Sequence, residues 1–102
     1  MNFIKVGGPL LEFLLLNALK GSRTYGYELV SRFAPVYQIT SSAIYTALKS
    51  LREKGLVNRE SEISSGRVRI YYTLNSEGAV YLSNLQDKLH SELEDLKTFC
   101  EN

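Results

Sequence analysis

Between Leu56 and Leu74 the spacing of apolar residues changes from one in three or four to one in two, and after Asn75 it changes back. A chain of 102 residues that switches period in this way has room for a few helices, one hairpin and one more helix, and no second domain. Pro9 suits a first helical position and Gly21 a stop, so Pro9–Lys20 reads as a helix. Its apolar residues run nearly all the way round, which requires cover on most sides, part of it expected from a second subunit. Thr24 reads as the cap of a second helix, Tyr25–Phe33, which Pro35 ends. Thr40 or Ser41 caps a third, running to Lys54, with Gly55 just past its end.

The third helix divides cleanly. Ile44, Ala47, Leu48 and Leu51 share one face, whereas Ser42, Tyr45, Thr46, Lys49 and Arg52 share the other. Leu56–Ile63 and Val68–Leu74 read as strands joined by Ser64-Ser65-Gly66-Arg67, with Arg67, Arg69, Tyr71 and Thr73 on the polar side of the second. Asn75 caps a long last helix whose stripe of Leu82, Leu85, Leu89, Leu93, Leu96 and Cys100 steps by three or four residues. Three helices, a hairpin and a long helix form the winged helix-turn-helix arrangement. The expected fold is mainly α with a small β-hairpin (α+β), residues 1–75 forming the winged unit and 76–102 a dimerisation helix.

Charge supports a polyanionic partner. Residues 1–75 hold ten Lys and Arg against five acids, a net +5, and residues 76–102 hold two against six, a net −4. A basic body attracts a polyanion that an acidic tail avoids. Catalysis has little to use: His90 is the single histidine, its neighbours Ser91 and Glu92 cannot face it on a helix, and Gly7-Gly8-Pro9 lacks the Lys-Ser/Thr of a nucleotide loop. One histidine and one cysteine do not make a structural zinc site, so no metal or other cofactor is expected, nor is an enzyme. The apolar run Leu10–Leu19 is about half a membrane span, and no secretory signal precedes it, so a cytoplasmic protein is expected.

Four segments then carry a family resemblance. Tyr25-Gly26-Tyr27-Glu28-Leu29, the run Ser42 to Leu51, Glu53-Lys54-Gly55-Leu56-Val57, and Tyr71-Tyr72-Thr73-Leu74-Asn75-Ser76-Glu77-Gly78, in that order, resemble PadR-type transcriptional regulators over residues 9–85. The resemblance implies a homodimeric repressor that binds double-stranded DNA, its C-terminal helices pairing, often relieved by a small aromatic or hydrophobic ligand. The chain departs from drug-responsive members in having no tryptophan and a single C-terminal helix.

A winged helix places its third helix in the major groove. The expected DNA contacts are therefore Thr40, Ser41, Ser42, Tyr45, Thr46, Lys49 and Arg52 on that helix, with Arg67 and Arg69 on the wing. Arg59, Arg23 and Lys5 are weaker candidates. Tyr25 has two readings, a phosphate contact near a helix N-terminus or a core ring, and Tyr27 is expected in the core. The dimer interface is expected at Leu11, Leu15, Leu82, Leu85, Leu89, Leu93 and Leu96. Phe13, Leu16 and Tyr81 are candidate linings of an effector cavity. The rival reading is a winged helix that binds a partner protein and reads no DNA.

Overall fold

The computed structural model describes residues 6–101, so Lys5 lies outside it. The elements are α1 (Gly8–Ala18), β1 (Thr24–Tyr25), α2 (Gly26–Tyr37), α3 (Ser41–Glu53), β2 (Val57–Ser64), β3 (Arg67–Leu74) and α4 (Ser76–Glu101). The expected three helices, hairpin and long helix are all present, and the fold is the winged helix-turn-helix.

α1 is the centre of the core. Leu11, Leu15, Leu16 and Leu19 are at most 5% exposed, packed against α3 and α4 of the same chain. This corrects the expected dimer interface: Leu11, Leu15, Leu82 and Leu85 are core residues, since α4 lays its first turns across α1. An all-round apolar helix does need cover, but its own chain supplies most of it.

Two boundaries differ from expectation. Thr24 does not cap a helix; with Tyr25 it forms a short strand that pairs with β3, Thr24 opposite Tyr72 and Tyr25 opposite Tyr71. The sheet is thus three-stranded, in the order β1-β3-β2. Tyr25 is the cap of α2, and its N–H donates to the Glu28 carboxylate at 3.1 Å, a favourable place for an anion. Pro35 does not end α2 but sits in its last turn. There the ring deprives only one carbonyl, that of exposed Ser31, which water can satisfy. Gln38, in the left-handed region at φ 55°, closes the helix.

α3 ends in a Schellman motif. Gly55 has φ +77°, its N–H bonds the Arg52 carbonyl at 2.9 Å, and Leu56 N–H bonds Leu51 at 3.0 Å. The hairpin β2–β3 is tighter than expected, Ser64 pairing with Arg67 across a two-residue turn. Ser65 and Gly66 both have positive φ, as a type I′ turn requires. Asn75 pins α4 to the sheet: Oδ1 accepts the Gly78 N–H at 2.8 Å and Nδ2 donates to the Gly55 carbonyl at 2.9 Å. Gly78 passes so close to β2 that a Cβ there would lie 2.0 Å from the Leu56 carbonyl oxygen. Beyond Leu85 the burial of the helix fades: Leu89 is half-buried, and Leu93, Leu96 and Phe99 are 54%, 60% and 84% exposed.

Candidate nucleic-acid interface

The buried face of α3 seats it and leaves the opposite face outward. Ile44, Leu48 and Leu51 are fully buried, while Ser41, Ser42, Tyr45, Thr46, Lys49 and Arg52 are all exposed. Thr40 is the cap, its Oγ1 accepting the Ala43 N–H at 3.0 Å, which leaves its hydroxyl hydrogen free to donate outward. Tyr45 and Thr46 lie on opposite flanks. The Tyr45 ring leans on Gly26, where a Cβ would meet Cε1 at 2.9 Å, so glycine is needed for the tyrosine to sit there. Thr46 instead borders a groove shared with α1, near Gly8 and Leu11.

Between α3 and the wing runs a cleft of about 360 Å³, bordered by Tyr45, Tyr27, Arg59, Arg67 and Arg69. The alternation of the strands sorts its charges. Arg59 lies opposite Tyr72, on the face of Ser61, Ile63, Val68 and Ile70, which carries no acid. Glu60 and Glu62 lie opposite Tyr71 and Arg69, on the other face. Lys49, Arg52, Arg59 and Arg67 make no ion pair among the described residues.

The acid-bearing face holds a cluster that sequence reasoning missed. Arg23 pairs with Glu62 at 3.1 Å and lies 4.5 Å from the Tyr71 ring. The Tyr25 hydroxyl donates to Glu62, and that of Tyr71 donates to Glu60 at 2.8 Å. Arg69 donates to the Tyr27 hydroxyl at 3.1 Å, with Tyr27 stacked on Tyr25 at 5.6 Å. The hydrogen bond from Tyr25, with the Arg23 charge alongside, holds the Glu62 carboxyl below the usual range, and the same bond raises Tyr25. Tyr27 is therefore not a core residue; it is 51% exposed, held at the surface by Arg69. For Tyr25 the hydroxyl is committed to a carboxylate, and a phosphate reaching it would meet Glu62 first. Arg69 is likewise engaged, whereas Arg67 is exposed. In sequence these charges are scattered; only the two-residue strand β1 gathers them.

The three effector candidates are not brought together. Leu16 is fully buried in the core. Phe13 borders an apolar groove of about 570 Å³ between α1 and the outer half of α4, with Pro9, Leu10, Leu89, Leu93 and Leu96. Tyr81 is set apart, its hydroxyl donating to Glu12 at 2.8 Å, and Glu12 also takes Lys54 Nζ at 2.7 Å.

The model of the transcriptional regulator PadR-like family matches residues 15–84, a span that holds α2, α3, the whole sheet and the first turns of α4. The chain belongs to the PadR-like family. Solved structures agree with this PadR-like fold. A Streptococcus mutans UA159 protein is 25% identical, with a TM-score of 0.90 over 99% of this chain and 95% of its own. A PadR family transcription regulator from Clostridium difficile R20291 is 25% identical, with a TM-score of 0.79 over 88% and 97%. Bacillus subtilis PadR, solved in complex with operator DNA, is 25% identical, with a TM-score of 0.66 over 74% of this chain and 45% of its own. No curated protein matches the sequence. The family is one of transcriptional regulators, not enzymes. Among the described residues of this PadR-like chain, no helix is long and apolar enough to cross a membrane.

Proposed function

We propose that this PadR-like protein is a homodimeric repressor that occupies a pseudo-palindromic operator, α3 reading the major groove and the wing meeting the flanking backbone. The observation that carries the reading is an unpaired basic set on two neighbouring elements, Lys49 and Arg52 on the exposed face of α3, and Arg59 and Arg67 bordering the cleft between α3 and the wing. Bacillus subtilis PadR, with its operator, supports DNA as the partner. Ser42 and Thr46 are short enough to approach base edges, Tyr45 and Arg52 suit phosphate, and Lys49 reaches either. Residues 1–75 do this work, and residues 76–102 supply the pairing helix.

The pairing face is the outer stripe of α4, half-buried Leu89 with exposed Leu93, Leu96 and Phe99, because the inner leucines are used in the core. Relief by a small aromatic or hydrophobic ligand fits the groove beside Phe13, whose lining is mainly apolar, with Gln86, His90 and Glu92 at its border, and adjoins that stripe. Six to eight phosphate contacts per dimer give a slope of log K against log salt of roughly −5 to −7.

The test is selection of bound duplexes from a random DNA library by the purified protein at moderate salt. Enrichment of a two-fold symmetric motif is expected, with half-sites about one or two helical turns apart. A lack of enrichment, with weak salt-sensitive binding or none, rejects the reading in favour of a protein partner.

A further inference from the structure

On the acid-bearing face of the sheet one carboxylate stands between two arginines. Glu62 accepts both terminal nitrogens of the Arg23 guanidinium, at 3.1 and 3.4 Å, and lies directly opposite Arg69 across the β2–β3 ladder. Cross-strand partners stand about 5 Å apart at Cβ, so the second arginine is within reach of the same carboxylate. The Tyr25 hydroxyl also donates to Glu62 and holds it in place. Neither arginine is walled in. Arg23 keeps 49% of its side chain exposed, and Arg69 borders the cleft between α3 and the wing. Exposed ion pairs add little to folding stability. Stability therefore gives a poor account of an acid that occupies two cations beside this cleft, while Arg59 and Arg67 on its border make no ion pair among the described residues.

A carboxylate on the fork of an arginine sits where a phosphate would, because both offer a pair of oxygens to the same N–H donors. DNA that draws on Arg23 or Arg69 must first displace Glu62. Phosphate contacts carry no sequence information, whereas contacts with base edges do. On an operator, α3 fixes the register, and extra cations reach phosphate only where that register allows. On random DNA the protein settles wherever most cations find phosphate, so freed arginines add more there. We propose that Glu62 is a specificity-determining residue, an internal competitor of backbone phosphate that withholds Arg23 and Arg69 from DNA and leaves the base contacts of α3 to decide where the protein stays. This rests on the DNA reading above and adds to it a residue that acts by lowering affinity.

The experiment is a salt titration of binding to the selected operator and to a random-sequence duplex by the wild-type chain, E62Q and E60Q. Glutamine keeps the size of the side chain and an oxygen for the Tyr25 hydroxyl, but not the charge. E60Q removes the same charge from the same face, where Glu60 accepts from Tyr71. For E62Q, binding to the random duplex is expected to tighten by about tenfold, with the slope of log K against log salt steeper by about two, one freed arginine per protomer. Operator binding is expected to tighten by less, so the ratio of the two affinities falls by about threefold or more. Unchanged random-duplex affinity or slope overturns the proposal. So does an equal gain on both duplexes, which shows no effect on specificity, and so does an equal gain in E60Q, which makes the effect one of net charge alone. E62T, in which threonine suits a strand, repeats the test should E62Q fail to fold. Failure of the wild-type chain itself to bind any duplex defeats the DNA reading, which separates the two failures.

Discussion

At the scale of single residues, the tightest constraint is Gly78. A methyl group there would overlap the Leu56 carbonyl oxygen and come within 2.6 Å of Leu74 Cδ1, so either α4 or β2 must move. Gly78→Ala is expected to cost about 2–3 kcal/mol in urea unfolding, the usual size of an overpacking defect. Asn75→Ala, which removes the cap and its bond to Gly55, is expected to cost about 1 kcal/mol. Glu62 makes a prediction in pH. Its carboxyl is held below the usual range in the folded chain, so its contribution is complete at neutral pH and disappears as pH falls through the folded value. The melting temperature of E62Q should therefore lie below wild type at pH 7, and the gap should close on acidification below about pH 4. Asn75 and Gly55 were legible in the sequence because caps are local. Glu62 was not, because its partners Arg23 and Tyr25 are far along the chain and meet it only through the sheet.

At the scale of elements, the helices and the hairpin were legible because each is long enough to show a period. β1 has two residues and no period, and it exists only because β3 offers an open edge. Pro35 misled because its position in the last turn matters more than its presence. The faces of α3 were also legible, the alternation of Ile44, Leu48 and Leu51 with exposed polar residues matching their burial. Which wing arginine is free was not legible, since strand period alone treats Arg67 and Arg69 alike. The structure separates them, and a difference in DNA binding follows. R59A/R67A should flatten the salt slope of a dimer by about three to four, one phosphate for each of the four arginines removed. R69A should flatten it less and instead loosen the stack on Tyr27, seen as faster amide exchange at Tyr25 and Tyr71.

For the whole molecule, sequence reasoning placed one leucine stripe along α4 but could not divide it. The inner part, Leu82 and Leu85, closes the core, Leu89 is half-buried, and Leu93 and Leu96 are exposed. The physical reason is length: α4 has 26 residues, about 39 Å, more than α1 with its 11 residues can cover. A principal extent of 60 Å against 21 Å in the thinnest direction reflects the overhang. L93D/L96D should leave the melting of the body within about 0.5 kcal/mol of wild type, because these side chains are already exposed. If they pair two copies, sedimentation will show a monomer, and the salt slope of DNA binding will fall to about half.

Glu12 joins three helices at one carboxylate: it projects from α1, receives Lys54 at the foot of α3, and receives the Tyr81 hydroxyl from α4. In a paired molecule this knot makes a ruler of the two reading helices. The gap between them is then set by how α4 meets its twin, and the knot transmits that gap stiffly to each α3. Cutting it with E12Q should blunt discrimination among operators of different spacer length more than it lowers affinity for the best one.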